Sequence, residues 1–600
     1  MTTKLEPKGK LGIAGAVVTV VNGPEDALDW DAVDWRACER QVQRLRQRIF
    51  TASRVGDLKT VRNLQKLMLR SRANTLLAVR RVTEVNAGRL TAGVDGRIVL
   101  GGQEKAALAE AVQRRQQPWQ ARPVKRVYIP KADGRRRPLG IPVIVDRVLQ
   151  ARVTAALEPE WEARFEPRSY GFRPGRSCQD AIQATFNTVK GKNPARRWVL
   201  DADLKAAFDR IDHHHLLGQL GGFPAREQIR SWLTAGVVEQ GAFTPTEEGT
   251  PQGGVVSPLL LNVALHGMEH AAGVRYRAVA ADGVATAPDS PVLIRYADDF
   301  VALCRTRDEA IQIKARLAAW LTPRGLAFNE DKTRVVDLDE GYNFLGFNVR
   351  RYHGLLLIKP SKAAVRRIRK RLRTEVRALR GSNAAAVIAR LNPIIRGWAA
   401  YYRSVVSSEI FTSLDHYLWK LVYKWARHTH PNKPTSWVVA RYFGMFNKSR
   451  QNKWVFGDRD SGAYLQKFAW TRIVRHQVVT GTASPDDPVL ADYWNSRRRR
   501  RRMQPPVDRT TQQLLDSQRA RCVACGQLLL HADRPPRTPR EWEQWYRGLR
   551  KAVDHNAISL RQDGSTHGPQ LRLLHTHCHR RTSGKTADQH CNHPRAIELA

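Results

Sequence analysis

A chain of 600 residues has room for about three or four domains, and a hydrophobic content of 42% gives those domains real cores. Its formal net charge of +44 is far beyond what solubility requires and points to a polyanion, nucleic acid first. No apolar stretch reaches the ~18–20 residues of a spanning helix, so no membrane partner is expected.

Residues 11–21 are apolar and follow Lys4, Lys8 and Lys10, as in a secretory signal. They run into Val21-Asn22-Gly23-Pro24 with no small-x-small cleavage site, so the stretch is read as part of an N-terminal extension, residues 1–90. Within it, residues 27–90 carry helical patterning with polar and basic faces. Residues 91–350 alternate strands, Gly/Pro turns and helices, an α/β pattern clearest from about residue 125 on. A helix is predicted over 361–380, with Ser361 as N-cap and Gly381 as its stop. Val365, Ile368, Leu372, Val376 and Leu379 form its apolar stripe. Arg366, Arg367, Arg369, Lys370, Arg371, Arg373, Arg377 and Arg380 surround that stripe against the lone acid Glu375, which predicts a phosphate-facing helix. The rest of 351–475 interleaves Trp398, Tyr401, Tyr402, Tyr417, Trp419, Tyr423 and Trp425 with Arg396, Arg403, Lys420, Lys424 and Arg427. Many of these rings are core, but the mixture also suits RNA, whose unpaired bases stack on aromatic side chains. Six consecutive arginines from Arg497 to Arg502 predict a solvated or phosphate-bound linker over 476–515.

The seven cysteines do not form a disulfide framework for so large a chain. Cys38, Cys178 and Cys304 are scattered, while Cys522, Cys525, Cys578 and Cys591 gather in residues 516–600. The C-x-x-C pair Cys522/Cys525 and the pair His575/Cys578 have the spacing of one tetrahedral structural zinc site, with Cys591 a rival to His575 as fourth ligand. Thiolate ligands of this kind imply a reducing compartment.

The sharpest local signal is Tyr296-Ala297-Asp298-Asp299, set between Val292-Leu293-Ile294 and Phe300-Val301-Ala302-Leu303. Adjacent acids at the tip of a buried hairpin cost several kcal/mol of lost solvation unless a cation compensates them. A second apolar strand, Trp198-Val199-Leu200, delivers Asp201 and Asp203 and then turns helical through Phe208 and Asp209. Carboxylates brought together from the two strands would form a clamp for two cations about 3.5–4 Å apart, the requirement of two-metal phosphoryl transfer. Strand alternation puts Asp201 and Asp203 on one face, so spacing alone does not choose between them.

These residues are part of an ordered series. Val127-Tyr128-Ile129-Pro130-Lys131 with Arg137-Pro138-Leu139-Gly140 comes first, then Ser169-Tyr170-Gly171-Phe172-Arg173-Pro174-Gly175, then Asp203 to Asp209. Gly249-Thr250-Pro251-Gln252-Gly253-Gly254, Tyr296 to Asp299, Asn329-Glu330-Asp331-Lys332, Phe344-Leu345-Gly346-Phe347 and Leu391-Asn392-Pro393 follow. The series resembles the group II intron-encoded reverse transcriptase/maturases of bacteria and organelles, over roughly residues 25 to 600. The resemblance implies a multidomain right-hand polymerase in a bacterial cytoplasm: fingers and palm over 91–350, a helical thumb/maturase region over 351–475 and a basic DNA-binding linker. It implies Asp203, Asp298 and Asp299 as ligands of two Mg2+ ions, and Phe208 as the ring that excludes a 2′-hydroxyl. Lys131 and Arg137 would grip the triphosphate of the incoming deoxynucleotide, and Gln252 would let backbone approach nucleotide and template. Its partners would be the intron RNA, a target DNA and deoxynucleoside triphosphates.

At the C-terminus, Val553-Asp554-His555-Asn556 and the downstream His579 resemble an HNH nuclease, a small zinc-stapled ββα module. That resemblance implies His555 as general base, with Asp554 and His579 holding one divalent metal. Gln570 stands where that family places Asn, and Asp554 where it often has His. Two rival readings are a non-catalytic RNA-binding splicing factor and a reverse transcriptase of another bacterial retroelement lineage. The intact acids argue against the first, and the maturase region with its terminal module argues against the second.

Overall fold

The computed structural model describes residues 28–114, 119–130, 136–279, 283–447, 450–460, 462–501, 514–515, 517–526, 528–530, 548–549, 552, 558–565, 568–576 and 578. The chain divides into two compact units that interleave in sequence: Met1–Trp161 with Phe208–Leu260, and Glu162–Ala207 with Leu261–Ala600. Within the first unit a long-range pairing joins its two sequence segments: Val124–Pro130 runs parallel to Val237–Glu239.

In the first unit, the helices Trp35–Arg54, Leu58–Arg70 and Arg72–Arg80 start at Asp34, Asp57 and Ser71. Each of these side chains accepts from a backbone N–H of the first turn, a cap worth about 1 kcal/mol. Val42, Leu45 and Ile49 on the first helix, and Val61, Leu64 and Met68 on the second, are buried at helical spacing. Buried Glu160 of the helix Ile144–Glu162 is satisfied by Arg62 Nη1 and Gln65 Nε2, each 2.7 Å from Glu160 Oε2. A four-stranded sheet follows in the order Arg136–Ile141, Val124–Pro130, Val237–Glu239, Ala242–Thr244.

The second unit is built on an antiparallel sheet in the order Arg334–Asp337, Trp198–Asp203, Asp299–Cys304, Val292–Tyr296. The helices Cys178–Val189 and Arg307–Leu321 pack on it. Val292, Leu293 and Ile294 are all buried, which explains an apolar run without alternation. A second sheet, Tyr342–Phe344, Phe347–Tyr352 and Leu355–Pro360, leads into the helices Lys362–Ala378, Ala384–Tyr402 and Ser408–Thr429.

On Lys362–Ala378, Ser361 Oγ accepts from Ala364 N at 3.2 Å, and Ala364, Ile368, Leu372 and Val376 form the buried face. Its basic face is not uniform. Arg369 donates to Ser413 Oγ at 2.8 Å and Arg373 to Tyr417 Oη at 3.1 Å, so these two hold the helix Ser408–Thr429. Arg366, Lys370 and Arg377 are exposed.

The segment expected to be a basic linker is in part packed structure. Residues Ala491–Arg501 form a helix, and Arg497, read as solvent- or phosphate-facing, is buried. Its guanidinium donates to Asp180 Oδ1 at 2.9 Å, and Val479 N and His476 Nε2 lie 2.9 and 3.0 Å from the same oxygen. Burial alone would raise the Asp180 carboxyl, but His476, Ser177 and the Val479 N–H hold it at about 2. Among the described residues, no helix is long and apolar enough to cross a membrane.

Near the C-terminus the strands Ile558–Ser565 and Gly568–His575 form an antiparallel hairpin. A small core of Leu515, Ala520, Cys522, Leu529, Leu549, Ala552, Leu573 and Cys578 accompanies it.

Candidate active site

Strand register brings together acids that the sequence singled out. In the pairing of Trp198–Asp203 with Asp299–Cys304, Asp203 stands directly opposite Asp299, and Asp298 occupies the adjoining turn. Asp201 lies one alternation back, opposite Val301, with Arg334 Nε 3.4 Å from its carboxylate. Asp203 Oδ2 accepts from Lys332 Nζ at 2.6 Å and from Asn329 Nδ2 at 3.3 Å, and Asn329 N donates to the Asp203 carbonyl at 2.8 Å. The conformation of Asp203 is therefore held by Asn329 and Lys332, two residues to which the sequence alone assigned no task.

Electrostatics make the cluster receptive to a cation. Burial, then the neighbouring Asp298 and Asp203, pushes the Asp299 carboxyl up to about 7. Burial raises Asp201 to about 6 despite Arg334. Neighbouring carboxylates disfavour one another's ionisation, a cation among them relieves this, and oxygen-only donors of this kind suit Mg2+.

The turn that carries Asp298 is sterically defined. Ala297 adopts φ 59°, a left-handed conformation costly for a residue with a Cβ. A Cβ at Gly171 would lie 2.2 Å from Ala297 N, so only glycine lets this backbone approach the turn. Backbone bonds run between the same segments: Tyr170 N donates to the Arg295 carbonyl at 2.9 Å and Arg295 N to the Arg168 carbonyl at 3.0 Å.

In the first unit, Arg137 Nε donates to Gln252 Oε1 at 2.9 Å, and Gln252 Nε2 donates to Asp209 Oδ2 at 3.2 Å. Asp209, not singled out from sequence, thus completes a polar triad. Burial raises its carboxyl, countered by Arg126 and Arg137. Gly249 and Gly253 have φ +84° and +123°, and side chains there would strike Asp209 and the Gly140 carbonyl. Thr250 N donates to the Phe208 carbonyl at 2.5 Å, and the Phe208 side chain is buried. Lys131 lies outside the described residues.

A second metal-type cluster gathers Cys522, Cys525, His575 and Cys578, whose ligand atoms all lie within 4.8 Å of one another. Cys525 Sγ is 3.4 Å and Cys578 Sγ 3.9 Å from His575 Nδ1. Burial and the neighbouring Cys525 and Cys522 push the Cys578 thiol up to about 12. Three thiols so placed cannot all become thiolates without a cation, and this soft donor set fits zinc. Asp554, His555, His579 and Cys591 lie outside the described residues, and Gln570 lies in the second hairpin strand, opposite Asp563.

Three family models match the chain in order: the N-terminal domain of reverse transcriptase over residues 30–112, reverse transcriptase (RNA-dependent DNA polymerase) over 129–349, and the group II intron maturase-specific domain over 365–443. Protein YkfC of Escherichia coli is 34% identical over 319 residues, which are 48% of this chain and 84% of that protein. Group II intron-encoded protein LtrA of Lactococcus lactis is 40% identical over 152 residues, 24% of this chain and 25% of that protein. Maturase-like protein 1 of Euglena gracilis is 26% identical over 378 residues, 62% of this chain and 76% of that protein. With these relatives, the ordered domain matches and the acids set in register, the chain belongs to the family of group II intron reverse transcriptase/maturases.

Proposed function

We propose that this reverse transcriptase copies its own intron RNA into DNA at the Asp203–Asp298–Asp299 cluster, with the three carboxylates holding two Mg2+ ions. The observation that carries this reading is the register that sets Asp203 against Asp299, with Asp298 in the adjoining turn. Magnesium, when bound, supplies acidification of the attacking hydroxyl and neutralisation of the leaving pyrophosphate. Lys332 and Asn329 keep the Asp203 carboxylate oriented. Phe208 takes the place beside the sugar where a ring excludes a 2′-hydroxyl, so the product is DNA. Lys131 and Arg137 grip the triphosphate, one as a point charge and one as a fork. Arg137 must first exchange its bond to Gln252 for phosphate, which couples nucleotide arrival to the loop 249–254.

In the wider reading, the region 351–475 binds the intron RNA and assists its splicing, and target-primed synthesis drives mobility. The C-terminal module, stapled by zinc on Cys522, Cys525, His575 and Cys578, engages target DNA. His555 acts there as general base, and Asp554 and His579 hold a divalent metal against the scissile phosphate. The thiol cluster and the antiparallel hairpin favour such a module. Gln570, standing where the nuclease resemblance expects Asn, favours a second reading: a DNA-binding module that no longer cleaves.

Primer extension on an RNA template tests the central claim. Replacing Asp298 and Asp299 together with Ala is expected to lower the rate at least about 10³-fold, ~4 kcal/mol, with RNA affinity unchanged because phosphate contacts lie elsewhere. Extension at the parental rate in that double variant refutes the assignment. A nicking assay of the parent against His555→Ala separates the two readings of the terminal module.

A further inference from the structure

Beneath the acid-bearing turn lies a charged side chain to which no role has been given. Arg295 is the last residue but one of the strand Val292–Tyr296, just before the turn, and it is 1% exposed. One guanidinium nitrogen, Nη1, donates to Asn262 Oδ1 at 3.0 Å and to the Ala297 carbonyl at 3.3 Å. Asn262 is itself buried, and its Nδ2 donates to the Gly171 carbonyl at 2.8 Å. Gly171 packs its α-carbon against Ala297 so closely that a Cβ there has no room. The contacts therefore close a ring: Ala297, Arg295, Asn262, Gly171 and back to Ala297.

The charge of Arg295 is not fully matched from below. Glu166 is the carboxylate nearest to it, with Oε2 3.9 Å from Arg295 Nη2. That carboxylate is shared: its Oε1 accepts from Gly267 N at 2.8 Å and Glu269 N at 3.0 Å, and its Oε2 lies 3.8 Å from His266 Nδ1. Glu269 is engaged elsewhere, with Tyr276 Oη and Arg168 N. A buried guanidinium keeps its proton and costs several kcal/mol of solvation unless anions face it. Burial, and then the neighbouring Arg173, act against the Arg295 charge, and Glu166, Glu269 and Asp298 support it.

We propose that Arg295 is a positioning residue for catalysis: its buried guanidinium, bonded to the Ala297 carbonyl and to Asn262, holds the left-handed Ala297 turn and so the placement of Asp298 and Asp299 that presents them to divalent metal. Lys332 differs in kind, because it touches Asp203 directly from a largely exposed position. Arg295 acts through the backbone and touches no reacting atom. The proposal rests on the acid cluster being the metal site of the polymerase.

The test measures metal binding apart from turnover. Mn2+ binding, read by the loss of the free-ion electron paramagnetic resonance signal, is compared in the full-length parent, Arg295→Gln, Arg295→Lys, Asn262→Ala and Asp298→Ala. Primer-extension kcat, KM for the nucleotide and the half-saturating Mg2+ concentration are measured alongside. Groups that orient metal ligands from behind typically change affinity ~10–100-fold, and Arg295→Gln is expected to weaken Mn2+ and Mg2+ dependence by about 10-fold or more, with nucleotide KM little changed. Arg295→Lys keeps a donor that can reach one of these acceptors and loses the fork, so it should recover part of that loss. Asn262→Ala opens the ring but keeps the bond from Arg295 to the Ala297 carbonyl, so it should shift in the same direction by less. It also keeps the test decisive if Arg295→Gln does not fold. Unchanged Mn2+ affinity in the folded Arg295 and Asn262 variants overturns the proposal, even where activity falls with the folded fraction. If the parent binds Mn2+ through Asp298 yet extends no primer, the polymerase reading fails while the role of Arg295 in metal presentation stands. If Asp298→Ala leaves Mn2+ binding unchanged, both fail.

Discussion

The acid cluster and the cysteine cluster both fit cations, but they are held in place by different forces. Asp203 and Asp299 are set by the register of strands whose neighbours, Leu200, Phe300, Val301 and Ala302, are fully buried. That scaffold is built from buried apolar side chains, and burial with the neighbouring Asp298 and Asp203 pushes the Asp299 carboxyl up to about 7. Cys522, Cys525, His575 and Cys578 belong to a region whose described core is a handful of side chains, Leu515, Leu529, Leu549 and Leu573 among them. If that cluster binds zinc as proposed, the ion contributes folding energy there. On the proposed reading, the difference is between a metal that serves as a reagent in one cluster and a metal that serves as a structural bond in the other.

The strongest way to break this comparison is to remove one thiol. Cys522→Ser should unfold the C-terminal module, because apparent zinc-binding energies of ~10–16 kcal/mol are folding energy in such modules. Rapid proteolysis within residues 514–578, one zinc fewer by mass spectrometry and unaltered primer extension are the expected results. A zinc chelator should reproduce them on the parent, whereas removing Mg2+ should stop extension and leave the fold intact. A protease-resistant Cys522→Ser module would show that the small core suffices.

Asp180 offers an intermediate case, in which an ion pair rather than a sheet or a metal fixes a segment. Asp180→Ala leaves Arg497 buried without its carboxylate, a loss of ~3 kcal/mol or more. Faster proteolysis at residues 476–501 and a lower melting temperature check it. The pH dependence has a definite sign. With the folded carboxyl held at about 2, below its ordinary 3.8, this contribution is present above pH ~4 and is lost as pH falls through about 2. Acid titration of the parent should therefore release the segment over that window, and the Ala variant should show no such step.

What the sequence made legible follows the same division of forces. Asp298, Asp299 and the apolar strands around them are local patterns, and local patterns can be read from neighbours along the chain. Asp201 and Asp203 were equivalent by alternation, and only pairing with a strand about a hundred residues later sets Asp203 opposite Asp299. Arg497 looked solvated inside a run of arginines because its partner, Asp180, is 317 residues away. Arg295 received no role from the sequence, because its ring through Asn262 and Gly171 exists only in three dimensions. The pairing of Val124 with Val237, which joins the two segments of the first unit, likewise has no local signature.

The smallest expected effect sharpens the comparison on a single helix, Lys362–Ala378, where one side is fixed by the core and the other is free to meet RNA. Arg369 and Arg373 are tied to Ser413 and Tyr417, whereas Arg366, Lys370 and Arg377 are exposed. Replacing Arg366, Lys370 and Arg377 with Gln should weaken intron-RNA binding and reduce the slope of log affinity against log salt by about 0.7–0.9 for each phosphate no longer neutralised. Replacing Arg369 and Arg373 instead should lower the melting temperature by loosening the helix Ser408–Thr429, with a smaller change in slope. Binding titrations between low and moderate salt, paired with thermal melts, distinguish the two sets. Equal slopes in the parent and the triple variant would mean that the exposed cations face only solvent, and that the RNA is held elsewhere.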